Sequence, residues 1–101
     1  MKRETLPSRR THELFRFEHG GISYTAGVGH FSDGRVAEIF IDCLKNTSDA
    51  AALARDAAVV LSLALQHGVA IASLRDAITR LQDGQPAGLV GRLLDILGEA
   101  T

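Results

Sequence analysis

Side chains able to do chemistry are few in this chain of 101 residues, and their spacing is not typical of catalysis. The one cysteine, Cys43, ends an apolar run, and a buried thiol behaves mostly as a small hydrophobe. A nucleophilic Cys43 would need a nearby base, and His19, His30 and His67 stand at turns or element ends elsewhere in the chain. A thiol enzyme that uses Cys43 stays open as a third hypothesis.

Metal and phosphate chemistry find little support in the spacing of the residues. The four histidines, with Asp42 and Cys43, include no Cys-x-x-Cys or His-x-x-x-His pair that would hold zinc from one element. Gly27 and Gly29 flank one valine, but the third glycine of a dinucleotide-binding loop is missing. We therefore predict no catalytic residue, no metal site and no cofactor.

The first half of the chain predicts a three-stranded antiparallel meander. Apolar and polar residues alternate over residues 12–19, 22–30 and 35–43, as in half-buried strands. Gly20-Gly21 and Asp33-Gly34 supply tight turns between them. The second and third strands each have an apolar face, made of Ile22, Tyr24, Ala26 and Val28 and of Ala37, Ile39, Ile41 and Cys43. The opposite face of the third strand is mixed and carries Val36, Glu38, Phe40 and Asp42.

Three helices are predicted after the strands. The first begins at a cap, Thr47 or Ser48, and ends near Gln66, and the others cover residues 71–82 and 87–97. The first helix is apolar nearly all round, so it needs neighbours on several sides. The remaining elements barely cover it. We therefore expect a two-fold homodimer that uses this helix or the exposed sheet edge.

The predicted order of strands and helices indicates one α+β domain over residues 11–101, with the helices packed on one face of the sheet. Residues 1–10 are expected to form an extended arm, because Pro7 disfavours a helix there. A net charge of −1 does not steer the chain towards nucleic acid, and no apolar run is suited to a signal or a membrane span. A single cysteine also favours a reducing compartment. We expect a cytoplasmic protein that binds neither membranes nor nucleic acid.

Three segments together resemble the TSCPD domain: GGISYTAGVGHFSDGRVAEIFID, SDAAALARDAAVVLSLALQHGV and GLVGRLLDIL. This domain is found at or near the C-terminus of adenosylcobalamin-dependent ribonucleotide reductases and as short stand-alone proteins. The resemblance extends from Glu4 onward. The chain departs from the family just before the last helix, where Pro86-Ala87-Gly88-Leu89 lacks the family's cysteine. A metal or redox role tied to that cysteine is therefore not carried over.

The resemblance implies a non-catalytic accessory module. Reductase chemistry needs a barrel, a thiyl-forming cysteine, a reducing cysteine pair and a cofactor pocket, which we do not expect in 101 residues with one cysteine. The first hypothesis is an interaction module that acts in trans on a ribonucleotide reductase or another nucleotide enzyme. Its candidate interaction surface comprises Tyr24, Glu38, Asp42 and His67. The alternative is a small-ligand or nucleotide-binding protein, suggested by the glycine-rich strand and the basic arm.

Overall fold

The chain folds as a three-stranded antiparallel sheet followed by three helices, which confirms the predicted α+β class. A computed structural model describes residues 3–4, 12–43 and 48–99, without the side chain of residue 48. The strands are β1 (His12–His19), β2 (Ile22–His30) and β3 (Val36–Cys43), and the helices are α1 (Ser48–Gln66), α2 (Ile71–Ala77) and α3 (Leu89–Glu99).

Sheet order follows chain order, with β2 in the centre and both neighbours antiparallel to it. Gly20 and Gly21 turn the first hairpin with φ angles of 59° and 78°, and Gly34 turns the second with φ of 94°. Side chains other than glycine rarely adopt these left-handed angles. The paired glycines and the Asp-Gly step therefore fix the turns where the sequence predicts them.

The core lies between one face of the sheet and the helices α1 and α3. Phe17 and Tyr24 are cross-strand partners whose rings stack at 5.3 Å between centroids. Alanines on α1 allow this helix to lie close to β3. The buried apolar residues that meet here include Ala26, Val28, Ile39, Ile41, Ala51, Ala54, Ala58, Leu61, Leu65, Leu93 and Leu94.

The second helix is shorter than predicted. It ends at Ala77, because Ile78 is already extended with φ −71° and ψ 153°. Arg80 then pairs with Pro86 in an isolated antiparallel bridge, and the amide of Ala87 donates to the carbonyl of Thr79. Residues 87 and 88 therefore lie outside the third helix, which begins two residues later than predicted.

A cluster of charges joins this bridge to α3. The Arg80 guanidinium donates to both carboxylate oxygens of Asp95, at 2.8 and 2.9 Å, and Arg75 donates to Asp95 at 3.2 Å. Hydrogen bonds from Arg80 and Arg75 lower the pKa of Asp95 to about 2. Arg80 also donates to the carbonyls of Arg75 and Gly84, so it holds the loop against both helices.

Two predictions fall largely outside the described residues. The cap at Thr47 or Ser48 is one of them, and the extended arm over residues 1–10 is the other. Of that arm only Arg3 and Glu4 are described, and the Glu4 amide donates to the carbonyl of Gln66 at 2.7 Å. Within the described ranges, no helix has the length and apolar character needed to cross a membrane.

Candidate functional site

On the face of the sheet away from the core, glycines of the central strand lie between larger side chains of the two outer strands. Gly27 on β2 lies between its partners Leu14 on β1 and Phe40 on β3. Leu14 is 77% exposed and Phe40 is 53% exposed, although both are large and apolar. Apolar side chains exposed together in this way often mark a binding surface.

A second glycine on the same face makes room for a buried carboxylate. Gly29 lies between its partners His12 and Glu38, and a Cβ atom at position 29 would come within 2.8 Å of the Glu38 side chain. Glu38 is therefore able to lie flat over β2, where it is only 6% exposed. The Nε2 atom of His12 is 2.9 Å from Glu38 Oε1, which links β1 to β3 across the central strand.

Helix α1 covers the outer edge of β3 through two polar side chains. Ser62 Oγ accepts from the Ile39 amide at 2.9 Å and lies 3.0 Å from the Ile39 carbonyl, to which it donates. Gln66 Nε2 donates to the carbonyl of Ala37 at 3.1 Å. These bonds take the place of the main-chain hydrogen bonds that a further strand would form with Ala37 and Ile39. They therefore block the addition of a strand at these two residues.

Between this helix and the outer face of the sheet runs a groove of about 690 Å³, which we call the sheet–helix groove. Its centre is apolar and its ends carry ion pairs. The centre comprises Leu14, Gly27, Phe40, Val59 and Leu63, and the ends are formed by His12 with Glu38 and by Asp42 with Arg55.

The two ends of the groove differ in burial. Glu38 is shielded by its neighbours, whereas the side chains of Asp42 and Arg55 are 61% and 59% exposed. Arg55 Nη2 donates to Asp42 Oδ1 at 3.0 Å, a contact worth little to stability in open solvent. The Asp42 carboxylate can therefore exchange Arg55 for a charged group of a partner, whereas the Glu38 carboxylate is held against the sheet by its neighbours.

The structure brings together two of the four predicted surface residues. Glu38 and Asp42 both line the groove, at its opposite ends. His67 lies just beyond α1, where its Nδ1 is 2.8 Å from the carbonyl of Leu63, and it does not line the groove.

The prediction that Tyr24 belongs to the interaction surface is wrong. It is 4% exposed and stacked on Phe17 in the core, because the alternation of β2 turns it to the same side as Ala26 and Val28. Burial raises the pKa of its phenol. Tyr24 therefore does not belong to the exposed face of this protomer.

Sequence reasoning missed the residues that build most of the groove. Phe40 stands on the mixed face of β3, where its exposure follows from alternation, but Leu14 was not linked to it. Ser62 and Gln66 are among the few polar residues of α1. Their polarity was the available signal, since polar side chains on a buried helix need buried partners.

The groove presents an apolar surface between two charged pairs. Within the described part of the chain, no three histidine, cysteine or acidic side chains cluster as metal ligands would. Cys43 is buried at the end of β3. An apolar surface bounded by charged pairs is suited to recognising a polypeptide segment or a flat organic molecule.

Fold and groove together define a small α+β domain with a candidate binding surface at the side of its sheet. Over 89 residues the chain is 37% identical to the vitamin B12-dependent ribonucleotide reductase of Agrobacterium fabrum and 35% identical to that of Bradyrhizobium diazoefficiens. Each match covers 88% of this chain and 7% of the relative's length. The chain is thus a domain related to a short segment of these reductases. No family model and no solved structure matches it.

Proposed function

We propose that this domain is a non-catalytic, TSCPD-like interaction module that binds a vitamin B12-dependent ribonucleotide reductase in trans and serves deoxyribonucleotide synthesis in the cytoplasm. The sheet–helix groove carries this proposal, because its apolar centre is bounded by charged groups at both ends. The similarity to a short segment of reductases from two organisms supports this choice of partner.

The shape of the groove favours an extended polypeptide as its occupant. Glu38 and Asp42 stand four residues apart on β3, a distance of roughly 13 Å along a strand. An extended segment of about four residues fits between them. Such a segment would place apolar side chains against Phe40 and Val59, and a basic side chain would compete with Arg55 for Asp42.

Binding to a purified vitamin B12-dependent reductase, measured by biolayer interferometry, tests the proposal. Phe40→Glu places a charge in the apolar centre and is expected to abolish binding. Leu81→Glu is the matched control, since Leu81 is 56% exposed and lies outside the groove. Loss of binding in Phe40→Glu alone supports the proposal. Absence of binding by the natural chain, or equal binding by both variants, contradicts it.

A second candidate function is binding of a small ligand or nucleotide in the same groove. Its volume of about 690 Å³ falls in the range of small-molecule sites, and the exposed Phe40 ring offers a stacking surface. A thermal-shift screen with nucleoside mono-, di- and triphosphates tests this function. Stabilisation that Phe40→Glu removes would favour it over the polypeptide, and a flat response to every nucleotide would reject it.

A further inference from the structure

Helix α1 carries a second apolar surface, directed away from both the sheet and α3. Its core-facing line consists of Ala51, Ala54, Ala58, Leu61 and Leu65, all buried. The opposite side is expected to be polar in a helix that faces water. Instead, Leu53 is 68% exposed, Val60 is 65% exposed and Leu63 is 41% exposed.

The spacing on this opposite side is that of a coiled-coil seam. Five residues follow one another at alternating intervals of three and four positions, which keeps them on one stripe of the helix. We call this stripe the outer seam, and it consists of Leu53, Asp56, Val60, Leu63 and His67. Only Leu63 is shared with the sheet–helix groove, at whose rim it stands.

The charges of the outer seam are arranged symmetrically about its apolar centre. Asp56 stands one turn before Val60, and His67 stands one turn after Leu63. The Nδ1 atom of His67 contacts the Leu63 carbonyl, so the ring is held at the helix end. One acidic and one imidazole group therefore flank the two central apolar side chains.

We infer that the outer seam binds a second copy of this chain in an antiparallel, two-fold arrangement. If Asp56 faces the partner's His67, the same symmetry places Val60 against the partner's Leu63. Both contacts occur twice, and each joins groups that attract each other or exclude water together. The seam is thus complementary to itself in charge and in apolar pattern, which specifies a copy of this chain as its occupant.

The dimensions of α1 fit this arrangement. A helix of 19 residues is about 28 Å long, and the seam spans most of it. Ala57 and Ala64 border the seam and are small enough for two helices to approach closely. The contact is small for a permanent dimer, so we expect association in the micromolar range. This inference does not depend on the identity of the partner in the groove.

Sedimentation equilibrium of the full chain at micromolar concentrations tests the seam. Val60→Glu improves helix propensity at an exposed position, so it is expected to fold normally and to remain a monomer throughout the range. Phe40→Glu leaves the seam intact and is the matched control that should still dimerise. A monomeric natural chain, or dimerisation of Val60→Glu equal to that of the control, would overturn the inference.

A charge exchange tests the antiparallel register separately. Asp56→Arg and His67→Glu should each weaken the dimer, because Asp56→Arg removes the carboxylate that faces the imidazole and His67→Glu sets two carboxylates against each other at each end of the seam. The double variant restores opposite charges only if position 56 faces the partner's position 67. Recovery of dimerisation supports the register. Additive weakening in a correctly folded double variant, checked by circular dichroism, would overturn it.

Discussion

The hydroxyl of Ser62 on α1 forms hydrogen bonds with both the amide and the carbonyl of Ile39 on β3, at 2.9 and 3.0 Å. One side chain thereby satisfies two main-chain groups at the edge of the sheet. The same contact holds α1 at the height where Val59 and Leu63 form a wall beside Phe40. The groove therefore depends on a polar residue in the middle of an apolar helix.

Ser62→Ala should destabilise the protein, because two partly buried backbone groups lose their partner. We expect a loss of about 1–3 kcal/mol in the free energy of unfolding. Urea denaturation measures it, with Ser73→Ala as the control, since Ser73 is exposed on α2. Equal effects of the two substitutions would show that the Ile39 contact contributes nothing.

Gly29→Ala should also destabilise the protein, for a steric reason. The added methyl group would approach the Glu38 side chain to 2.8 Å and force that buried carboxylate away from His12. Such overpacking costs about 1–3 kcal/mol. Gly88→Ala is the matched control, because a Cβ atom at Gly88 meets no atom within 4 Å. If the two variants unfold at the same urea concentration, the close approach is not real.

Leu61→Ala should remove part of the core. Leu61 is 6% exposed, and truncation of a buried leucine costs about 2–5 kcal/mol. Leu53→Ala is the control, because Leu53 lies on the same helix but is 68% exposed. Both are measured by denaturation at a concentration where the chain is monomeric. A Leu61 effect as small as that of Leu53 would mean that α1 is not packed as described.

The stability of the protein at acid pH should report on the ion pairs that Asp95 forms with Arg80 and Arg75. Its pKa is lowered to about 2 in the folded state, so the unfolded chain binds the proton more tightly. The stabilisation is complete above the ordinary carboxyl pKa of about 4 and is lost as the pH falls through about 2.

Asp95→Asn should therefore show a smaller loss of stability between about pH 4 and pH 2 than the natural chain. Thermal unfolding across this range measures the difference. Asp83→Asn is a suitable control, since Asp83 is exposed in the adjacent loop. Parallel pH profiles for the natural chain and Asp95→Asn would contradict the assigned ion pair.

Local sequence patterns predicted the strands of the sheet correctly. They did not predict the features that depend on contacts between residues distant in the chain. Alternation and two glycine-containing turns were enough to place the strands, with β3 beginning one residue later than expected. Alternation also placed Tyr24 on the apolar face of β2, and Tyr24 is buried there. The position of this residue in the strand therefore decides its burial, although its phenol is polar. The early end of α2 depends on the contact between Arg80 and Asp95. These residues are distant in the chain, so the spacing of apolar residues does not predict their contact.

The groove was only partly predictable for the same reason. Glu38 and Asp42 were found because both lie on the mixed face of β3, although only Asp42 is exposed there. Leu14 and Phe40 come from different strands, and Val59 comes from a helix that follows them in the chain. Their proximity depends on the register across Gly27 and on the position of α1, and both are tertiary properties.

The central claim is that the sheet–helix groove binds a vitamin B12-dependent reductase, and methyl NMR of the labelled chain during titration with the purified reductase tests it most directly. We predict that the resonances of Leu14, Val59 and Leu63 shift or broaden first, while that of Leu81 is unaffected. Changes confined to methyl groups outside the groove, or no change at saturating reductase, would contradict the account.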